Sequence, residues 1–272
     1  MRTRESFSLK LDRAYEHLNT FEDEASAWVN TEPCGVVDEP DPEGPVHPTG
    51  DVQPRRIRVN RVSEVPERLS ILIGDCVFNL RSALDHLAFA LARAYTPSMS
   101  DKQLAGSEFP IFGPEEMTAD TEKRKIGCVD PAACAAIKGL QPYNGKDAYL
   151  AHPLWQIHQL NRIDKHRTLT ICRADPQDRR LCIPHGFSNS RRDAWVYMVP
   201  APRFALKLDA ILIRWAPVSW DPDKEVSVKP YLSVEIVFDQ GGVLPLQAVI
   251  PTLKRLCNFV RDDAVAQLTQ FL

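Results

Sequence analysis

Two apolar runs carry the residues with chemistry to offer. In ILIGDCVFNLRSALDHLAFALA, 71–92, the aliphatic texture is broken by Asp75, Asn79, Arg81, Ser82, Asp85 and His86. In LWQIHQLNRIDKH, 154–166, it is broken by His158, Asn161, Arg162, Asp164, Lys165 and His166. An imidazole titrates near neutrality and can move a proton. A guanidinium holds a phosphate or carboxylate through paired N–H groups. Imidazole beside guanidinium, twice over, is the pattern of proton transfer next to an anion.

Helical geometry sorts these residues into faces. At about 100° per residue, Ile73, Val77, Leu80, Leu84, Leu87 and Leu91 form one core stripe. Asp75, Asn79, Ser82 and His86 gather on the far side within roughly 60°, flanked by Arg81 and Asp85 one turn apart. No Lys or Glu occurs from Ser70 to Ala92, and Phe78 and Phe89 interleave with the polar stripe. This pattern predicts a stripe that is mostly buried. Each unpartnered polar group there would cost about 1–3 kcal/mol. The second run offers partners, with His158, Asn161, Arg162 and Lys165 on one side and Asp164 and His166 at its flanks. If the two helices pack antiparallel, the polar sets meet. A satisfied Arg–Asp network with no chemistry is the competing reading of the same residues.

Arg81-Ser-Ala-Leu-Asp-His86 fits R-x4-H on a helix, which resembles the signature of the HEPN superfamily of helical bundles. The resemblance covers about residues 65–95. It implies an RNA-directed protein, a metal-independent endoribonuclease of a toxin or defence system. In that scheme His86 is the general acid or base on the 2′-hydroxyl or the leaving oxygen. Arg81 stabilises the phosphorane. Asn79, Arg162, Asp164 and His166 complete the catalytic set, supported by Asp75, Ser82, Asp85, Asn161 and His158. The chain departs from the family in placing Ser82 after the arginine, where Asn, Asp or His is usual. Many HEPN enzymes complete the site with a second protomer, so a homodimer is open. Here a second set, Asn161 to His166, lies in the same chain, and its Arg-to-His spacing is one residue shorter.

Two other functions stay open. A non-enzymatic bundle would use the polar network structurally and bind a protein through its β-rich part. A metal-dependent bundle enzyme would draw ligands from Asp75, Asp85, His86, Asp164 and His166, although no Glu-x-x-His pair is present. Nothing else implies a cofactor. G-x-x-x-x-G-K-[ST] and G-x-G-x-x-G are absent, so no nucleotide cofactor is expected. H-E-x-x-H and G-x-S-x-G are also missing.

The elements that position these groups follow from periodicity and punctuation. Residues 5–30 read as an amphipathic helix through Phe7, Leu9, Leu11, Ala14, Leu18, Phe21, Ala25 and Trp28. Residues 31–54 hold six prolines and three glycines and read as a long surface loop. RRIRVNRV, 55–62, alternates like a short strand. The strongest helix spans 64–95, with Pro66 near its start. Loop follows over 96–113, with an apolar knot FPIF at 109–112. Short helices are expected at 114–126 and 130–139, and a second long helix from about Ala148 to Arg173. Strands follow in RLCIP, AWVYMVP, FALKLD, AILIRWAP and VSVKPYLSVEIVFD. The last thirty residues return to an amphipathic helix with a bend expected at Pro251.

The expected fold class is therefore α+β, a mainly helical bundle with an antiparallel β-meander inserted before the C-terminal helix. Residues 1–175 plus 243–272 form the bundle, including the 31–54 loop, and 176–242 form the insert. The 272 residues, 44% hydrophobic with a net charge of −3, suffice for a sizeable core. They carry no global basic signal, so any RNA contact must be local. The basic runs at Arg55-Arg56 with Arg58 and Arg61, at Arg179-Arg180 and at Arg191-Arg192 read as solvated faces. Seven cysteines without a C-x-x-C pair predict buried thiols in a reducing, cytoplasmic setting. No signal-peptide core and no membrane span are expected.

Overall fold

The computed structural model describes residues 5–44, 54–113, 115–165, 171–174, 179–182, 194–198, 207–217, 229–232, 234–238, 244 and 247–272. The chain divides into two compact units. One comprises residues 1–24, 66–171 and 238–272, and the other 25–65 and 172–237. The architecture is α+β and mainly helical.

The helical unit begins with α1 (Ser6–Val29). Phe7, Leu11, Ala14, Leu18 and Phe21 recur every three or four residues and are all buried, while Leu9 faces outward. The longest element, α2 (Glu67–Tyr95), buries its whole Ile73–Leu91 stripe. Two short helices follow, α3 (Asp101–Gly106) and α4 (Ala119–Ile126). α3 lies inside the stretch read as loop. Its Ser100 caps Gln103 and Gln103 caps back, a reciprocal box that holds this six-residue turn helical although none of its residues is buried. Asp130 caps α5 (Pro131–Gly139) through the Ala132 N–H.

The second polar run occupies a shorter helix than expected. Residues 142–151 form a 3-10 segment, and α6 (Pro153–Asp164) starts at a proline whose missing N–H is harmless there. His152 caps it, its Nδ1 accepting from the Leu154 N–H at 3.2 Å. By Ile171 the chain is a strand, where the sequence reading continued the helix to Arg173. The β-branched Ile171 suits a strand better than a helix end. α7 (Val249–Asn258) starts six residues later than the apolar run, and Pro251 falls in its first turn. No bend is needed there, because first-turn N–H groups lack helical acceptors anyway. The irregularity comes later, as a π-helical stretch from Phe259 to Val265. α2 packs against both α6 and α7. Cys76 and Cys257, both fully buried, stand with sulfurs 3.9 Å apart in that core.

The polar stripe of α2 is not uniformly buried. Asp75 is half exposed beside His17, and Phe78 and Phe89 are 45% and 40% exposed. Ser82 and His86 are half-buried. Asn79 is buried but bonds back to the Asp75 carbonyl at 2.8 Å, so its amide is satisfied within its own helix. The core stripe already supplies the helix with its burial, and the opposite face is left at the surface.

The second unit is built on β1 (Cys34–Pro40), β2 (Arg55–Val62), β5 (Ala194–Met198) and β6 (Ile211–Pro217), in the order β1-β2-β6-β5. All its pairings are antiparallel. Two further pairs join β3 (Ile171–Ala174) to β8 (Glu235–Phe238), and β4 (Arg179–Cys182) to β7 (Lys229–Leu232). β1 corrects the reading of 31–54 as loop alone, since Val36 and Val37 sit between the prolines and pair with Val59 and Arg58. The simple meander is corrected too, because half of the main sheet precedes α2. The described end of FALKLD, 207–209, is a turn with Asp209 at φ 65°.

Ile57, Val59, Leu212, Ile213 and Trp215 form the core of this sheet. Its arginines are engaged. Arg55 pairs with Asp38, Arg56 and Arg58 share Glu39, and Arg214 reaches the buried Asp41. The run at 55–61 is thus spent on the sheet's own carboxylates and on the Glu32 carbonyl, which Arg61 holds. Among the described residues no helix is long and apolar enough to cross a membrane.

Candidate functional site

α2 and α6 run antiparallel. Near the start of α2, Gly74 faces Asp164, and a Cβ at Gly74 would stand 2.7 Å from the Asp164 carboxyl carbon. Two turns along, Arg81 and Asp85 reach the level of His158 and Asn161, and a cavity of about 210 Å³ opens there. Arg81 and Asp85 line it from α2, Glu108 and Ile111 from the loop after α3, and Lys125 from α4. His158, Asn161, Arg162 and Lys165 line it from α6.

The wall on the α2 side is a closed hydrogen-bonded triangle. Arg81 Nη2 donates to Asp85 Oδ1 and to the Phe109 carbonyl, both at 2.8 Å, and the Phe109 N–H donates to Asp85 Oδ1 at 3.0 Å. The pair therefore clasps both backbone groups of Phe109, whose side chain is fully buried. Gln141, also buried, holds the next residues by donating to the Pro110 carbonyl at 2.9 Å and accepting from the Phe112 N–H at 3.1 Å. Burial pushes the Asp85 carboxyl up, against the pull of Arg81 and the Phe109 N–H. It also pushes the Arg81 guanidinium down, opposed by Asp85. Two buried polar atoms of the cavity's lining, Arg81 Nη1 and Asn161 Oδ1, have no hydrogen-bond partner among the described residues. Asn161 is only 5% exposed.

The electrostatics centre on His158. Burial first, and then Arg81, Arg162, Lys125 and Lys165, lower its pKa to about 4. The imidazole is thus neutral at pH 7 and encircled by cations. Trp155 stacks obliquely on it with ring centroids 5.8 Å apart. Lys125 pairs with Glu108, and its ammonium is lowered by burial and by Arg81. Among the described residues Arg162 and Lys165 form no ion pair, and both are exposed.

The cavity gathers Arg81, Asp85, His158, Asn161 and Arg162 of the sequence-expected set. It leaves out Asn79, Ser82, His86 and Asp75, and Asp164 faces Gly74 instead. His166 lies outside the described residues. Arg81 and His86 are five residues apart, about 140° around a helix, which aims them to different sides. The imidazole at Arg81's level is His158. Sequence reasoning missed Glu108, Ile111 and Lys125. The FPIF knot was the available signal, since a buried loop must find donors and acceptors for its backbone. Among the described residues no three His, Cys, Asp or Glu side chains converge to hold a metal ion. No family model, curated protein or solved structure matches the chain.

Proposed function

We propose that this protein is RNA-directed and that the α2–α6 cavity receives a backbone phosphate for metal-independent cleavage. The observation that carries the reading is a neutral imidazole ringed by four cationic side chains in one cavity. Neutral His158 takes the proton of the 2′-hydroxyl as its oxygen adds to phosphorus. The P–O5′ bond breaks, and Lys125 gives its proton to the departing 5′-oxygen. A 2′,3′-cyclic phosphate and a 5′-hydroxyl end result. Arg81, Arg162 and Lys165 face the charge that grows on phosphorus, where fixed cations in a sheltered site stabilise the transition state most. The incoming phosphate offsets the cations that depress His158, so the base strengthens as substrate binds. The resemblance assigns the proton transfer to His86; the geometry favours His158.

A second reading is favoured by one observation: both Arg81 and Asp85 are committed to the Phe109 backbone. In a non-enzymatic bundle that clasp is their whole role. Cleavage of single-stranded RNA in EDTA separates the readings. Wild type and His86→Ala are expected to cut alike. His158→Gln is expected to lose at least about a hundredfold, the usual worth of a proton-transfer group, with an unchanged melting temperature. No cleavage by wild type favours the structural reading.

A further inference from the structure

We propose that the α2–α6 cavity is built for a phosphate group carrying two negative charges, the form of a phosphomonoester end, over the singly charged phosphodiester. The inference rests on the phosphate reading above and names the ligand class.

Size comes first. At about 210 Å³ the cavity is smaller than the ~300–1,000 Å³ that enclose whole small ligands. It admits one end of a molecule, a phosphate with part of its sugar. Among the described residues no Phe, Tyr or Trp lines it, so they offer no platform on which a base could stack. The base stays outside and goes unread.

Charge comes second. Arg81, Lys125, Arg162 and Lys165 stand against Asp85 and Glu108, with His158 neutral. Four cations and two carboxylates leave two positive charges. A phosphomonoester carries about −1.5 to −2 at pH 7, whereas a diester carries one charge and would leave a cation uncompensated in a partly dry site. The same count suits the doubly charged phosphorane formed when the 2′-oxygen adds to a diester, so the cavity favours that state over the substrate's ground state.

The third observation is polar. Asn161 is buried on the cavity wall, and among the described residues its Oδ1 and the buried Arg81 Nη1 have no partner. An unsatisfied buried group calls for an explanation. A phosphate oxygen to accept and a neighbouring sugar hydroxyl to donate would answer both.

The test is calorimetric titration of the full chain at pH 7 with 2′-deoxyuridine 3′-monophosphate and with its methyl diester, which lack the attacking 2′-hydroxyl and are not cleaved. The monoester is expected to bind about tenfold tighter. 2′-Deoxyadenosine 3′-monophosphate should match the deoxyuridine compound. Arg162→Ala and Lys165→Ala, both at exposed positions, should each weaken the monoester more than the diester. The His158 proton resonances should titrate at higher pH with monoester bound, because the cations from α2, α4 and α6 are then offset. Equal affinity for the two esters, or a monoester preference intact in both variants, overturns the inference. RNA cleavage without monoester preference removes this inference and spares the cleavage reading. Monoester preference without cleavage does the reverse.

Discussion

His158 carries the chemistry of this account, and its environment has a consequence that needs no substrate. Its pKa lies at about 4 in the fold against 6.5 for a free imidazole. Between those values the unfolded chain binds more protons than the folded one, so folding stability rises with pH there. Stability is intact above pH 6.5 and declines as the pH falls toward 4. Urea unfolding at pH 7 and pH 4.5 is therefore expected to show a smaller loss in His158→Gln than in wild type. An identical loss in the two proteins would assign the acid sensitivity to other groups. Arg81 behaves differently. It is bound to Asp85 and to the Phe109 carbonyl, so it shapes the cavity wall whether or not it meets a ligand.

Elements place these side chains, and the Gly74–Asp164 contact between α2 and α6 is the one to test. Gly74 sits inside a helix, where alanine would ordinarily gain about 1 kcal/mol. Here the added Cβ collides with the Asp164 carboxylate. Gly74→Ala is expected to destabilise by about 1–3 kcal/mol, the usual range for overpacking. In an Asp164→Ala background the same change should be neutral or stabilising. Additive effects in the double-mutant cycle would mean the helices do not meet there. The helices themselves were legible. The Ile73–Leu91 stripe announced α2, and His158, Asn161, Arg162 and Lys165 were grouped correctly on one side of α6. What the sequence hid is the azimuth of the polar groups on α2. Arg81 and Asp85 lie at the border of the core stripe, and His86 lies past the exposed Phe78 and Phe89 face. An R-x4-H string records spacing along the chain and leaves out the direction each residue faces.

At the scale of the whole molecule, a net charge of −3 leaves no general attraction for nucleic acid. The arginine-rich strand of the second unit is engaged by Asp38, Glu39 and Asp41, so under the proposed function an RNA contact would fall to the helical unit's cavity. Its four cations set a ceiling on counterion release. The affinity for single-stranded RNA should fall with salt no more steeply than a log–log slope of about −3. A slope near −6 would require a second basic surface. The sheet was harder to foresee than the bundle. Prolines and glycines from 31 to 54 pointed to loop, yet Val36 and Val37 find β2 as a partner across the chain. Such a pairing depends on residues distant in sequence, and local composition cannot report it.

The most direct measurement is zero-length photocrosslinking of 4-thiouridine-containing single-stranded RNA to the full protein, followed by peptide mapping. The account predicts crosslinks in 107–113 and 153–165, the two stretches that border the cavity beside α2 and α4, and their loss in an Arg162→Ala, Lys165→Ala double variant. Crosslinks confined to the strands of the second unit, or unchanged in that variant, would contradict it.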